Sequence, residues 1–105
     1  MIIVTTPSVD GKPTVRVLGL VQGNTLRARH VGRDILAGLR NVVGGEVGQY
    51  SRLLTESREQ ALSRMVQQAE DLGANAVVNL RFATSMIMGG TAEILAYGTA
   101  VVVEE

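Results

Sequence analysis

The chain has 105 residues, of which 46% are hydrophobic, and its ten acidic residues balance its ten basic ones. This length suits one domain with its own core, residues 1–105, and so high a hydrophobic fraction excludes an intrinsically disordered chain. The zero net charge gives no general attraction to nucleic acid or to an anionic membrane, so neither is expected as a partner.

The chain contains no cysteine, which excludes disulfides and thiolate metal sites within it. Its first residues lack the basic start of a signal peptide. The longest charge-free stretches, 82–92 and 94–103, fall well short of the about 20 residues that cross a bilayer. We therefore predict a cytoplasmic protein.

Two strands are predicted in the first part of the chain. The β-branched run 2–6 is typical of a short strand ended by a proline, and Asp10-Gly11 indicates a turn after it. A second strand is predicted over 15–21. Gly23-Asn24 then allows two interpretations: a tight hairpin turn, or a bulge through which the strand continues to Ala28.

Two helices are predicted in the middle of the chain. Apolar residues spaced three and four apart predict the first over 31–43, with Gly44-Gly45 as its stop. A longer helix is predicted over 50–72 and ends before Gly73. Its expected buried stripe is Tyr50, Leu54, Ala61, Leu62, Met65, Ala69 and Leu72.

Two further strands are predicted near the end, over 76–85 and 93–103, joined by a loop over 86–90. The first alternates, with Val78, Leu80 and Phe82 expected on one face. The last is apolar on both faces and must be covered on both. One long helix covers one face of a small sheet, so we predict that another copy of the chain covers the second.

An ordered set of short motifs resembles the YbjQ family, which carries a heavy-metal-binding label. The motifs span almost the whole chain. They are Thr5-Thr6, Leu18-Gly19-Leu20-Val21-x-Gly23, Arg33-Asp34, Ala37-Gly38, Val43-Gly44-Gly45, Tyr50, Arg58, Ala61, Gly73-Ala74-x-Ala76-Val77 and Gly98-Thr99-Ala100-Val101.

This resemblance implies an α+β subunit similar to the dodecin-like folds, assembled as a pentameric ring. The expected subunit is a sheet of about four strands packed on one long and one shorter helix. The resemblance implies no established reaction, and its label leaves a divalent or heavy-metal ion as the possible cofactor. Soft metals favour thiolate and imidazole ligands, and this chain offers one histidine and no cysteine.

The candidate metal ligands are few. His30 is the only imidazole and supplies one bond where a structural zinc site needs four, so a site would form between subunits with Asp34 or Glu46. The alternative is an ordinary exposed or capping histidine. Met86 and Met88 could bind Cu(I), or could serve as adaptable packing at an interface.

A polar set carried by the family motifs is the other candidate site: Arg33, Asp34, Glu46, Tyr50 and Arg58. The helical spacing places Arg58 on the apolar stripe, where a guanidinium requires a carboxylate partner. We interpret the set as an ion-pair network that fixes the helices or a subunit contact. The alternative is a pocket whose arginines bind a carboxylate or phosphate.

Signals for an enzyme are weak. The serines lack a G-x-S-x-G setting, and the glycine-rich run 44–48 lacks the Lys-Ser/Thr of a P-loop. We predict a non-enzymatic homo-oligomeric binding module that takes metal or another small ligand at subunit interfaces. The main alternative is a structural or protein-interaction ring with no small ligand, and a third is an enzyme with a site shared between subunits.

Overall fold

The computed structural model describes residues 1–27, 45–87 and 91–105. They form strand β1 (Ile2–Ile3), strand β2 (Thr14–Arg27), helix α1 (Gly45–Asp71), strand β3 (Ala76–Ile87) and strand β4 (Thr91–Val103). The α+β class, the long helix and the four strands were predicted from the sequence, although β1 is shorter and the other elements longer than expected. The helix predicted over 31–43 lies outside the described residues.

The four strands form one mixed sheet in the order β1-β3-β4-β2. Strand β1 pairs with β3 in parallel, whereas β4 pairs antiparallel with β3 on one side and with β2 on the other. Helix α1 packs mainly across β2 and β4 and barely reaches β3. The main core therefore lies between α1 and the β2–β4 half of the sheet.

Strand β2 continues through Gly23-Asn24 to Arg27, so the hairpin interpretation is wrong. The continuation is as the second interpretation expected, but its bulge is absent, because Gly23 and Asn24 pair with Ala96 and Leu95 in unbroken register. Gly23 serves packing rather than a turn. A Cβ atom added to it would collide with the Ala61 carbonyl oxygen and the Met65 amide nitrogen of α1. The missing side chain lets the helix backbone approach the strand this closely.

The buried side of α1 is a row of residues spaced four apart: Ser57, Ala61, Met65 and Ala69. The sequence correctly predicted the last three. It was wrong for Leu54 and Leu72, whose side chains are 40% and 47% exposed. Gly23 brings the helix backbone close to β2, so the buried residues form a narrow row with a spacing of four, and Leu54 and Leu72 lie outside it.

A bulge in β3 breaks the alternation expected there. Asn79 has a φ of 55°, and the register with β4 shifts by one residue between Val78 and Arg81. As a result Leu80 packs in the core under α1, whereas Val78 packs in a second cluster on the other face. The prediction that Val78 and Leu80 share a face is therefore wrong. A bulge adds one residue to one strand and reverses every side chain beyond it.

Strand β4 is buried on the face under α1, whereas on its other face burial is complete only at Val101 and Val103, and Leu95 and Tyr97 are half-buried. Ala96 and Ala100 lie under α1, and Val101 and Val103 face the other way. The expectation that another copy covers this second face is wrong for the end of the strand. The chain's own N-terminal segment covers it there with Ile2, Val4 and Val9.

Backbone hydrogen bonds fix that N-terminal segment beside β3. The Val4 N–H donates to the Val77 carbonyl at 2.9 Å, and the Leu80 N–H donates to the Val4 carbonyl at 3.0 Å. A further bond, from the Asn79 N–H to the Thr6 carbonyl, also 3.0 Å, is made by the bulge residue itself. The segment thus covers the second cluster without a long strand of its own.

Candidate functional site

The structure places only part of the predicted polar set. His30, Arg33 and Asp34 lie outside the described residues. Glu46 and Tyr50 lie in the first two turns of α1, where the backbone alone is described. The network predicted among these residues is therefore untested and stays a prediction.

Arg58 is described in full, and its placement corrects the sequence interpretation. Its side chain is exposed rather than buried on the stripe, and its Nη2 atom donates to the Thr55 hydroxyl at 3.3 Å. The buried position is the neighbouring Ser57, about 100° around the helix. Within one subunit, Arg58 therefore does not need the carboxylate partner that a buried guanidinium would require.

Ser57 is a position that the sequence analysis missed. Its backbone carbonyl accepts a hydrogen bond of 3.0 Å from the hydroxyl of Thr25, and both residues are buried. This bond joins α1 to β2 one turn before the Gly23 contact. Two small polar residues carry no hydrophobic signal, and this explains why periodicity alone did not find the pair.

Two side chains of α1 bond to the backbone of β2. The Gln22 N–H donates to Gln68 Oε1 at 2.7 Å, and Arg64 Nη1 donates to the Asn24 carbonyl. Since β2 is the last strand of the sheet on that side, these are backbone groups of a sheet edge. Covering them reduces the tendency of the middle of this edge to pair with another strand.

A short polar row crosses the sheet on the face away from α1. Asn24 Nδ2 donates to Glu93 Oε2 at 3.0 Å, and the Ser85 hydroxyl lies 3.4 Å from Glu93 Oε1. Glu93 thus connects β2, β4 and β3 through its carboxylate. The three side chains form a cross-strand hydrogen-bond network. One carboxylate, one amide and one hydroxyl provide fewer ligands than the four that a structural zinc site needs.

The described residues do not fit a heavy-metal centre within one subunit. Among the side chains that the structure describes, which do not include that of Glu46, no group of three or more His, Asp or Glu converges to hold an ion. Met86 lies on β3 rather than in the predicted loop and is 75% exposed, and Met88 lies outside the described residues. In the same part of the chain, no helix combines the length and apolar character needed to cross a membrane.

Exposed apolar side chains are the most distinctive surface feature. The β2 surface consists of Val17, Leu20 and Leu26 on the face away from α1, all more than half exposed. The β3 surface consists of Phe82 and Met86, which pair with Ala96 and Ala92 on the α1 side of the sheet. The sequence indicated the β2 surface, because the predicted strand Val15–Val21 carries apolar residues on both of its faces.

The fold defines a class: a small α+β domain with a mixed four-stranded sheet and one long helix across half of it. The chain belongs to the YbjQ family, since the family model described as "Putative heavy-metal-binding" matches residues 1–104. The family predicted from the sequence motifs is thereby confirmed.

Similar proteins occur in archaea and bacteria, each named a UPF0145 protein. The relative from Methanosarcina acetivorans is 58% identical over 101 residues, covering 96% of this chain and 95% of the relative. The relative from Pyrococcus furiosus is 57% identical over 104 residues (99% and 91%). The relative from Hahella chejuensis is 55% identical over 104 residues (99% and 100%).

A solved structure has the same fold at low sequence similarity. It is a protein of unknown function from Pediococcus pentosaceus, assigned to the DUF74 family. The TM-score is 0.65 at 14% identity, with 99% of this chain and 98% of that chain covered. This likeness supports the α+β fold alone.

Proposed function

We propose that the protein is a non-enzymatic homo-oligomeric binding module that closes into a ring and takes its ligand between subunits. The observation that carries this proposal is the large apolar surface of one subunit. Five is the subunit number that the family resemblance implies. The dodecin-like arrangement with a second, shorter helix belongs to the same proposal.

The apolar surface is carried by side chains of the described strands. Val17, Leu20 and Leu26 on β2 are between 54% and 68% exposed, and Phe82 and Met86 on β3 are 44% and 75% exposed. Large exposed apolar patches on soluble proteins mark interaction sites.

A ligand site between subunits agrees with the ligands that one subunit offers. The single imidazole of His30 would occur once per subunit, so a ring would repeat it at every interface. Asp34 or Glu46 would supply oxygen ligands beside it, and Arg33, Tyr50 and Arg58 would complete a polar pocket. A divalent or heavy-metal ion is one candidate, and a carboxylate or phosphate ligand of the arginines is another.

A ring with no small ligand is the second candidate. It is favoured by the lack of a converging metal-ligand group among the described residues and by the lack of cysteine in the chain. In this alternative the polar set fixes the contact between subunits, and the assembly itself provides the surface that other proteins recognise.

Metal analysis of the purified, untagged protein separates these two candidates. We expect weak binding of Zn²⁺ or Cu²⁺, removed by dialysis against a chelator and reduced in His30→Ala, because thiolate ligands are missing. Elemental analysis and titration calorimetry measure both variants. Metal held through chelation and unaffected by His30→Ala would contradict the proposed ligand, and no binding in either variant would favour the ring without a ligand.

A further inference from the structure

Strand β2 is an edge strand with few of the features that keep such edges from pairing. Among the described residues it is the last strand of the sheet on its side, and it runs for fourteen residues, Thr14–Arg27. Long edge strands offer N–H and C=O groups to other chains, and proteins protect them with lysine, proline, bulges or a covering element. This strand contains no lysine and no proline.

The two halves of β2 differ in regularity. The register with β4 shifts between Thr14 and Arg16 and again between Val17 and Gly19, and Gly19 has a φ of 124°. Such irregularities twist an edge and disrupt its pairing with a further strand. From Gly19 to Arg27 the register is unbroken, and this half carries no charge before Arg27. The regular half is therefore the part of the edge that needs a cover.

Two side chains of α1 cover the centre of that regular half. Gln22 and Asn24 flank its midpoint, Gly23. Gln68 Oε1 accepts a hydrogen bond of 2.7 Å from the Gln22 N–H, and Arg64 Nη1 donates to the Asn24 carbonyl. One side chain thus supplies an acceptor and the other a donor, which are the two kinds of partner that a neighbouring strand would supply.

The spacing of these contacts along α1 matches their spacing along β2. Arg64 and Gln68 are four residues apart, a rise of about 6 Å along a helix. Gln22 and Asn24 are two residues apart, about 6.7 Å along a strand. A Cβ atom at Gly23 would lie 2.8 Å from the Arg64 Cβ atom, so Arg64 begins directly over the strand. Both contacts therefore follow from the close packing at Gly23.

We propose that Arg64 and Gln68 form an edge guard, an autoinhibitory contact that prevents the regular half of β2 from adding a strand. The strand that the edge guard excludes is the same stretch of a second copy of this chain, in an extended state before that copy has folded. An extended copy brings no α1 of its own to obstruct the pairing. The edge guard acts within one subunit and does not depend on the proposed ring.

The regular half of β2 is complementary to itself in antiparallel pairing, and this favours a second copy as the excluded strand. A pairing centred on Gly23 places Leu20 opposite Leu26 and Gln22 opposite Asn24. Apolar side chains would then meet apolar ones, and amides would meet amides. Leu20 and Leu26 are 68% and 54% exposed, so the added strand would also bury apolar surface.

Peptide binding to an unguarded variant tests the proposal. The probe is a fluorescently labelled peptide with the sequence of residues 19–27, and the unguarded variant is Arg64→Ala/Gln68→Ala. Arg52→Ala/Gln60→Ala is the matched control, because it removes the same two residue types from exposed positions of α1. Alanine has the highest helix propensity, and circular dichroism verifies that both variants are folded.

We expect the unguarded variant to bind the peptide roughly tenfold more tightly than the unchanged chain and the control do, since two backbone groups gain strand partners. Fluorescence anisotropy measures the three affinities. Equal affinities of the three proteins would overturn the edge guard. If a peptide of the same composition in scrambled order bound the unguarded variant equally well, the assignment of a second copy as the excluded strand would be wrong.

Amide hydrogen exchange tests the edge guard in single variants. The Gln22 N–H should exchange about tenfold faster in Gln68→Ala than in the unchanged chain, because it loses its acceptor. Gln68→Glu keeps an acceptor and should retain the protection. Exchange at Gln22 that is equally fast in the unchanged chain and in Gln68→Ala would overturn the proposal, even if the double variant failed to fold.

Discussion

Replacing Gly23 with alanine should cost about 3 kcal/mol or more of the free energy of unfolding, an effect at the upper end for overpacking. The added Cβ atom would occupy the space of the Ala61 carbonyl oxygen and the Met65 amide nitrogen. Both are backbone atoms of α1, so the strain is relieved only by moving the helix off the sheet. Urea unfolding followed by circular dichroism measures the loss.

Gln22→Ala is the matched control for this prediction. Gln22 precedes Gly23 on β2, but its side chain is exposed and its bond to Gln68 uses the backbone N–H. The change should cost less than about 0.5 kcal/mol, as is usual for exposed positions. Equal stability of Gly23→Ala and Gln22→Ala would show that α1 does not lie against β2 as described.

The same substitution at two paired residues should separate folding from assembly. Val101 and Val17 face each other across β4 and β2, yet Val101 is 1% exposed and Val17 is 65% exposed. Val101→Asp should cost roughly 4 kcal/mol or more and unfold the chain, because it buries a charge without a partner. Val17→Asp should leave the fold intact and dissociate the oligomer, because Val17 belongs to the β2 surface.

Circular dichroism measures whether each of the two variants is folded, and sedimentation velocity measures whether it is assembled. Val101 packs beneath the N-terminal segment with Val78 and Val103, so its role is internal to the subunit. A folded but monomeric Val101→Asp protein would show that Val101 lies at a subunit contact. A Val17→Asp protein that remains assembled would remove Val17 from the interface.

The sequence predicted the parts of the fold that depend on regular hydrophobic spacing. Ala61, Met65 and Ala69 recur at helical intervals, and the double-sided apolar pattern of β4 indicated that its second face is covered too, as it is at Val101 and Val103. Each of these patterns extends over many residues, so a local irregularity such as a bulge does not change the secondary structure that it predicts. The α+β class and the long helix were therefore predictable.

The sequence did not predict features that depend on a single residue or on tertiary contact. The bulge at Asn79 places Val78 and Leu80 on opposite faces of the sheet, and the hydrophobic pattern of the sequence did not predict it. Burial of Ser57 in place of Arg58 follows from the close approach at Gly23. The cover over Val101 comes from residues far away in the sequence, which periodicity does not connect.

The candidate site was less predictable than the fold for a chemical reason. His30, Asp34 and Glu46 are separate polar residues whose roles depend on which side chains meet in space. Metal and anion sites need several ligands at defined distances, and a site shared between subunits adds the geometry of assembly to that requirement. The described part of one subunit supplies apolar contact surfaces and no complete ligand set.

The mass of the untagged protein in solution tests the central claim most directly. Sedimentation equilibrium at micromolar concentration should give one species at a whole-number multiple of the 11.2 kDa chain, and the family resemblance implies a multiple of five. The mass should not grow with concentration, since a closed ring has no free ends. A stable species of 11.2 kDa would contradict the account.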